Sequence, residues 1–386
     1  MRYAIVVLAA VLQSVAANLV ISDRADLINQ IATWQSNESS SDINTWNTSL
    51  VTDMNHVFED NTGFNADIDG WNTAQVTTFN NLFEDATNFN QSLSNWNTAQ
   101  VTNFGGIFNR ARQFNNAIGT WNTSSVTSLL FAFLGADNFN QDVSEWDTSR
   151  VTQIDSVFAS ADNFNQDVSK WDTSKVTSMS DIFLSATSFN GDLSKWDTSE
   201  VTSMSRTFRG ATSFNGNIEA WNVQKVQAMF ATFAGAVQFN SNISAWKPAS
   251  VTELTEFVKD ATAFTQDLAC WDAYVTTDWL MSESFTNSGV NDNPPCWADV
   301  NLNSCTSCPS SPSPPSPPSP PNNPPSPPSS PSPSPSSGGG GSNVGAILGG
   351  VFGGLAVLAV AAYVIRLKTK KGTQATTPPL LLEVEA

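Results

Sequence analysis

The chain has 386 residues, a formal net charge of -18, and 17 Lys and Arg against 35 Asp and Glu. That balance argues against nucleic acid as a partner, because neutralising phosphates takes Lys and Arg. His56 is the only histidine, so no Ser-His-Asp or Cys-His arrangement is repeated or backed up, and the sequence offers no catalytic residue, metal ligand or cofactor motif.

Residues 1–17 read as a signal peptide. Arg2 precedes the apolar AIVVLAAVL, and VAA ends at Ala17 with the small residues a signal peptidase needs. Residues 18–38 follow as an N-terminal capping helix. Ser22 and Asp23 are good caps. Leu27, Ile28, Ile31 and Trp34 line one face, a lid for the apolar end of a stack.

Residues 39–290 are written on a 25-residue period. Trp46, Trp71, Trp96, Trp121, Trp146, Trp171, Trp196, Trp221, Trp246 and Trp271 stand in strict register, which means stacked coils. Other columns keep step: from Trp71 on, Phe seven before; then an aliphatic three before, Val five after, and a large apolar residue eight after. In one copy these columns are Phe164, Val168, Trp171, Val176 and Met179, with Phe183 twelve after the Trp, and they are the predicted core. FNQDVSKW predicts a short strand and DTS a capping turn. VTSMSDIFLSA places Val176, Met179 and Phe183 at steps of three and four, which predicts a short helix. Ten coils, each with a short parallel β-strand and a short helix, make an α/β solenoid. The Asn column from Asn65 to Asn240 reads as a ladder in which each side chain satisfies its neighbour's turn. Asp columns such as Asp142, Asp167 and Asp192, or Asp147, Asp172 and Asp197, read as turn caps.

The pattern F-N-x-D-aliphatic-S-x-W-[D/N]-T-S-x-V-T-x-M-x-x-x-F-x-x-A, over roughly residues 20 to 290, resembles the repeat of BspA-like leucine-rich-repeat surface proteins of bacteria, mycoplasmas and microbial eukaryotes. The resemblance implies a leucine-rich-repeat-like solenoid on a cell surface, used in adhesion or binding. It brings neither a ligand nor catalytic residues. The last coil departs from the pattern: the Val comes one residue early, at Val275, and the Phe-Asn pair becomes Phe264-Thr265. A Cys-containing closing cap is therefore expected at 291–308.

Cys270, Cys296, Cys305 and Cys308 are the only cysteines, an even number that reads as disulfides outside the cell, with three pairings open. Residues 309–343 form a Pro/Ser-rich stalk and a Gly-rich joint. Fifteen prolines between Pro309 and Ser337 favour an extended polyproline rod, and the stretch resembles the hydroxyproline-rich stalks of algal and plant wall glycoproteins. Residues 344–365 carry no charge over 22 positions, about 33 Å of helix, which predicts one transmembrane span. Arg366, Lys368, Lys370 and Lys371 place the tail 366–386 inside. Gly345, Gly349 and Gly353 at steps of four would suit a transmembrane homodimer. Glycosylation sequons stand at Asn37, Asn47, Asn90, Asn122 and Asn242.

Specificity is expected where copies differ. The residue before the Trp is Glu145, Lys170 and Lys195 in successive copies, and the residue four after it includes Lys175 and Glu200; these five are the candidate ligand surface. The expectation is a single-pass type I plasma-membrane protein that displays its solenoid for recognition or adhesion, with an extracellular protein or glycan as ligand. The alternatives are a structural wall or coat glycoprotein without a specific ligand, and a signalling receptor acting through a partner.

Overall fold

A buried backbone N–H needs an acceptor, and many in this chain find theirs one coil away. The computed structural model describes residues 19–37, 42–274 and 282–290, all in the first of two units into which the chain divides, Met1–Ser313. In one coil Met179 N donates to Ser203 O at 2.9 Å, Asp181 N to Ser205 O at 3.0 Å, Phe183 N to Thr207 O at 2.9 Å and Ser185 N to Arg209 O at 2.6 Å. Residues between them turn back on their own coil: Leu184 N reaches Asp181 O and Ala186 N reaches Phe183 O, both at 3.1 Å.

This alternation corrects the expected helix at Val176–Ala186. An α-helix needs an unbroken run of negative φ and bonds to the fourth residue back. Here Asp181 has φ +61° and Ser185 φ +56°. The same two places, four apart, are left-handed in every coil from His56 and Asp60 to Glu256 and Asp260. Tandem turns thus bring Val176, Met179 and Phe183 inward at the spacing a helix would give, and all three are buried.

The expected strand at FNQDVSKW is corrected too. Asn165 N donates not to a carbonyl but to Asn140 Oδ1, at 3.0 Å. Ser169 N turns to Asp167 Oδ1 and Trp171 N to Val168 O. Parallel pairing occurs instead as isolated bridges seven residues after the Trp: Thr78 with Asn103, Asn103 with Ser128, Ser128 with Gln153, then Ser178 with Ser203, Ser203 with Ala228 and Ala228 with Glu253. Among the described residues the named elements are helix α1 (Arg24–Asn37) and two 3₁₀ turns, Ile43–Thr45 and Ala269–Ala273. The α/β leucine-rich-repeat-like solenoid is therefore replaced by a stack of turn-built coils without a sheet.

The Phe rings form a continuous column from Phe64 to Phe264, and most of the Trp rings stack on a neighbour. Trp146 and Trp171 stack with centroids 6.3 Å apart and planes 3° apart, and Phe164 lies between Phe139 and Phe189, 6.0 Å from each. Phe158 faces Phe164 at 3.7 Å.

Helix α1 covers the first coil. Asp26 N donates to Asp23 Oδ1 while Ser22 N donates back to Asp26 Oδ2, both at 2.9 Å, a reciprocal cap. Leu27 and Ile31 are buried, and Ile28 and Trp34 pack against the core. At the far end the coil ladder lengthens by two residues. Val258 N bonds Ser284 O, 26 positions on, where Phe233 N bonds Phe257 O, 24 positions on. Glu283 and Asn287 still repeat the left-handed pair.

Among the described residues no helix is long and apolar enough to cross a membrane. The predicted signal peptide, the span at 344–365, the stalk, the tail, and Cys296, Cys305 and Cys308 lie outside the described residues. Cys270 is half-buried beside Trp271.

Candidate recognition surface

The most repeated side chains face inward. Trp171 is 2 % exposed, and its Nε1 donates to Val143 O, 28 residues back, at 3.1 Å. The same bond recurs from Trp71 to Ile43 O through Trp271 to Ile243 O. Thr173 of the DTS turn is buried too, and its Oγ1 donates to Asp197 O at 2.9 Å. Neither the indoles nor these hydroxyls are presented to a ligand.

The Asn column does tie the coils: Asn90 N bonds Asn65 Oδ1, Asn115 N bonds Asn90 Oδ1, and the chain of bonds runs on to Thr265 N and Asn240 Oδ1. Much of it is exposed, Asn90 included, so burial gives no argument against a glycan there. Asn122 and Asn242 are exposed and Asn47 half-buried, and each accepts its own turn's N–H, from Ser124, Ser244 and Ser49. Asn37 ends α1.

The Asp side chains cap turns. Asp142, Asp167 and Asp192 accept Ser144 N, Ser169 N and Ser194 N at 2.8–2.9 Å. Asp147, Asp172 and Asp197 do the same for Ser149, Ser174 and Ser199. These serine bonds hold all six carboxyls below the ordinary Asp range.

Glu145, Lys170, Lys175, Lys195 and Glu200 are all exposed, and they fall into two columns on either side of the buried Trp–Thr corner. In the first, Lys170 Nζ pairs with Glu145 Oε1 one coil back, and that bond raises the Lys170 pKa. Lys195 makes no hydrogen bond or ion pair among the described residues. Its charge lies close enough to Asp167 and Asp192 to help lower both. Acid and base therefore alternate along this edge. A groove of about 320 Å³ opens at its start, lined by Ala117, Gly119, Thr120, Gln141, Asp142 and Glu145. In the second column Lys175 Nζ donates to Ser149 O and Lys225 Nζ to Glu200 Oε1, both at 2.7 Å.

A further cluster was not singled out from the sequence. Glu84 is 4 % exposed and lies beside His56, Glu59, Asp85, Asn109 and Arg110. Burial raises the Glu84 carboxyl above its ordinary range against the pull of Arg110. The signal was available: Glu59 and Glu84 are 25 residues apart, one period, with His56 three positions before the first.

A family model described as "Mycoplasma protein of unknown function, DUF285" matches the chain three times in tandem, over residues 27–133, 116–206 and 190–297. No curated protein and no solved structure matches it.

Proposed function

The chain belongs to the DUF285 family, and from that premise we propose that it is a cell-surface recognition or adhesion module of the BspA-like kind, taking an extracellular protein or glycan. The observation that supports this reading is the edge that alternates Asp142, Lys170, Asp167, Lys195 and Asp192 beside a groove at Glu145. Hydroxyls, carboxylates and ammonium groups on a rigid frame suit hydrogen-bonded contact with a sugar or a polar protein face. The buried columns supply the frame. They tie each coil to the next, and a contact surface held by its frame loses less entropy on binding. A lone histidine with no repeated acid–base pair supports a non-catalytic role.

The test is to probe glycan and protein arrays with the full-length chain, wild type and Lys170→Glu/Lys195→Glu. A saturable ligand that the double variant loses is the expected result. Absence of any saturable ligand would favour a structural coat role, and binding unchanged in the variant would reject this edge as the contact.

A further inference from the structure

One cluster gathers chemistry that the repeat does not need. His56 Nδ1 and a carboxylate oxygen each from Glu59 and Glu84 all lie within 4.8 Å of one another. Nδ1 is buried and stands 3.1 Å from Glu59 Oε2 without a hydrogen-bond partner. A buried ring nitrogen facing a carboxylate is costly unless a proton or a cation joins them. Glu84 is likewise buried, and Asn109 Nδ2 and Arg110 Nη2 both reach its Oε1 at 2.9 Å. Asn109 is itself 6 % exposed, and its Oδ1 has no hydrogen-bond partner. Arg110 also holds Asp85, through Nε at 2.7 Å and Nη2 at 2.5 Å. Three carboxylates against one guanidinium leave two negative charges when the imidazole is neutral.

We propose that His56, Glu59 and Glu84 form a binding site for a divalent transition-metal ion of the Zn²⁺ class. One imidazole nitrogen with two carboxylate oxygens is a donor set zinc accepts with its fourth position open. Calcium and magnesium prefer oxygen throughout and have no use for the imidazole. A tetrahedral ion about 2.1 Å from each donor sets the donors about 3.4 Å apart, against 3.1 Å between His56 and Glu59 and no more than 4.8 Å across the three donors. The coil geometry holds the donors in place. His56 sits at φ +59° with its N–H bonded to Asn80 O, and the period carries Glu84 into the next coil at the position of Glu59. Arg24 Nε, from α1, donates to the neighbouring Asn55 O, so the ion would clip the first coils together next to the lid.

Because His56 is the only histidine, its imidazole gives an unambiguous signal. The experiment uses the full chain with thiols alkylated, titrated with Zn²⁺ and followed by ¹H–¹⁵N spectra of the imidazole and by calorimetry. The site predicts one ion per chain, a saturating shift of Nδ1, and Kd weakened at least about tenfold in Glu84→Gln and His56→Asn. Asn is chosen because it tolerates the left-handed backbone. Imidazole signals unmoved at excess Zn²⁺, or equal affinity in a folded His56→Asn chain, would overturn the proposal. If the variants fail to fold, the wild-type imidazole spectrum decides alone.

Discussion

An indole fills volume and carries one N–H that must be satisfied. From Trp71 onward the preceding coil supplies the acceptor, but Trp46 has no preceding coil, and its buried Nε1 has no partner among the described residues. The two ends of the same column should therefore respond differently to one substitution. Trp171→Phe strips Val143 O of its donor and should cost about 1–3 kcal/mol. Trp46→Phe removes an unsatisfied group and should stay within about 1 kcal/mol of wild type. Urea unfolding midpoints of the two variants check this, and equal losses would count against the indole bond as the reason for the column. The carboxyls carry opposite signs. Asp172 is held below its ordinary pKa by the Ser174 bonds, so its stabilisation is present above the unfolded pKa and lost as pH falls through the folded one. Burial raises Asp155, so its charge opposes folding at neutral pH and protonation relieves that. Between about pH 5 and about pH 3, Asp172→Asn should flatten the decline of the urea midpoint and Asp155→Asn should steepen it.

Within one coil the columns could be read from sequence and the backbone could not. Phe164, Val168, Trp171, Val176, Met179 and Phe183 are each 1–2 % exposed or less, and the Asn column does link coil to coil. Strand and helix failed for a physical reason. Steps of three and four arise from a helix and equally from tandem turns, and only the φ angles separate them. The left-handed places carry no consistent residue type: they hold His56, Arg110, Phe131 and Glu256 as well as Asp181 and Gly210. The coil geometry imposes that conformation rather than the side chains selecting it. The same tight stacking makes close approach a test. A Cβ on Gly216 would stand 2.0 Å from Gly191 O, whereas one on Gly63 meets nothing within 4 Å. Gly216→Ala should cost about 1–3 kcal/mol and Gly63→Ala should change stability by no more than about 1 kcal/mol. Equal midpoints for the two would contradict the stacking distance described here.

Over the whole stack, repetition and variation divide the labour. Letters that recur, the Trp171 column in all ten coils and the Thr173 column in seven of them, are inside or tie neighbours together. Letters that change, such as Lys170 and Lys195, are outside. That division could be inferred from the 25-residue alignment of the chain with itself. The His56–Glu59–Glu84 cluster could have been inferred the same way, but a single deviation is hidden when columns are read for what they share. The most direct measurement pairs one variant of each kind on the full-length chain: Lys195→Glu and Thr173→Val, each assayed for ligand Kd and for urea midpoint. Lys195→Glu should weaken Kd at least about tenfold with an unchanged midpoint, because a charge reversal at a contact acts on binding. Thr173→Val should lower the midpoint, by about 1–3 kcal/mol of stability, with Kd unchanged. A Lys195→Glu chain that binds as wild type does, or a Thr173→Val chain that loses binding while keeping its stability, would contradict this division of labour.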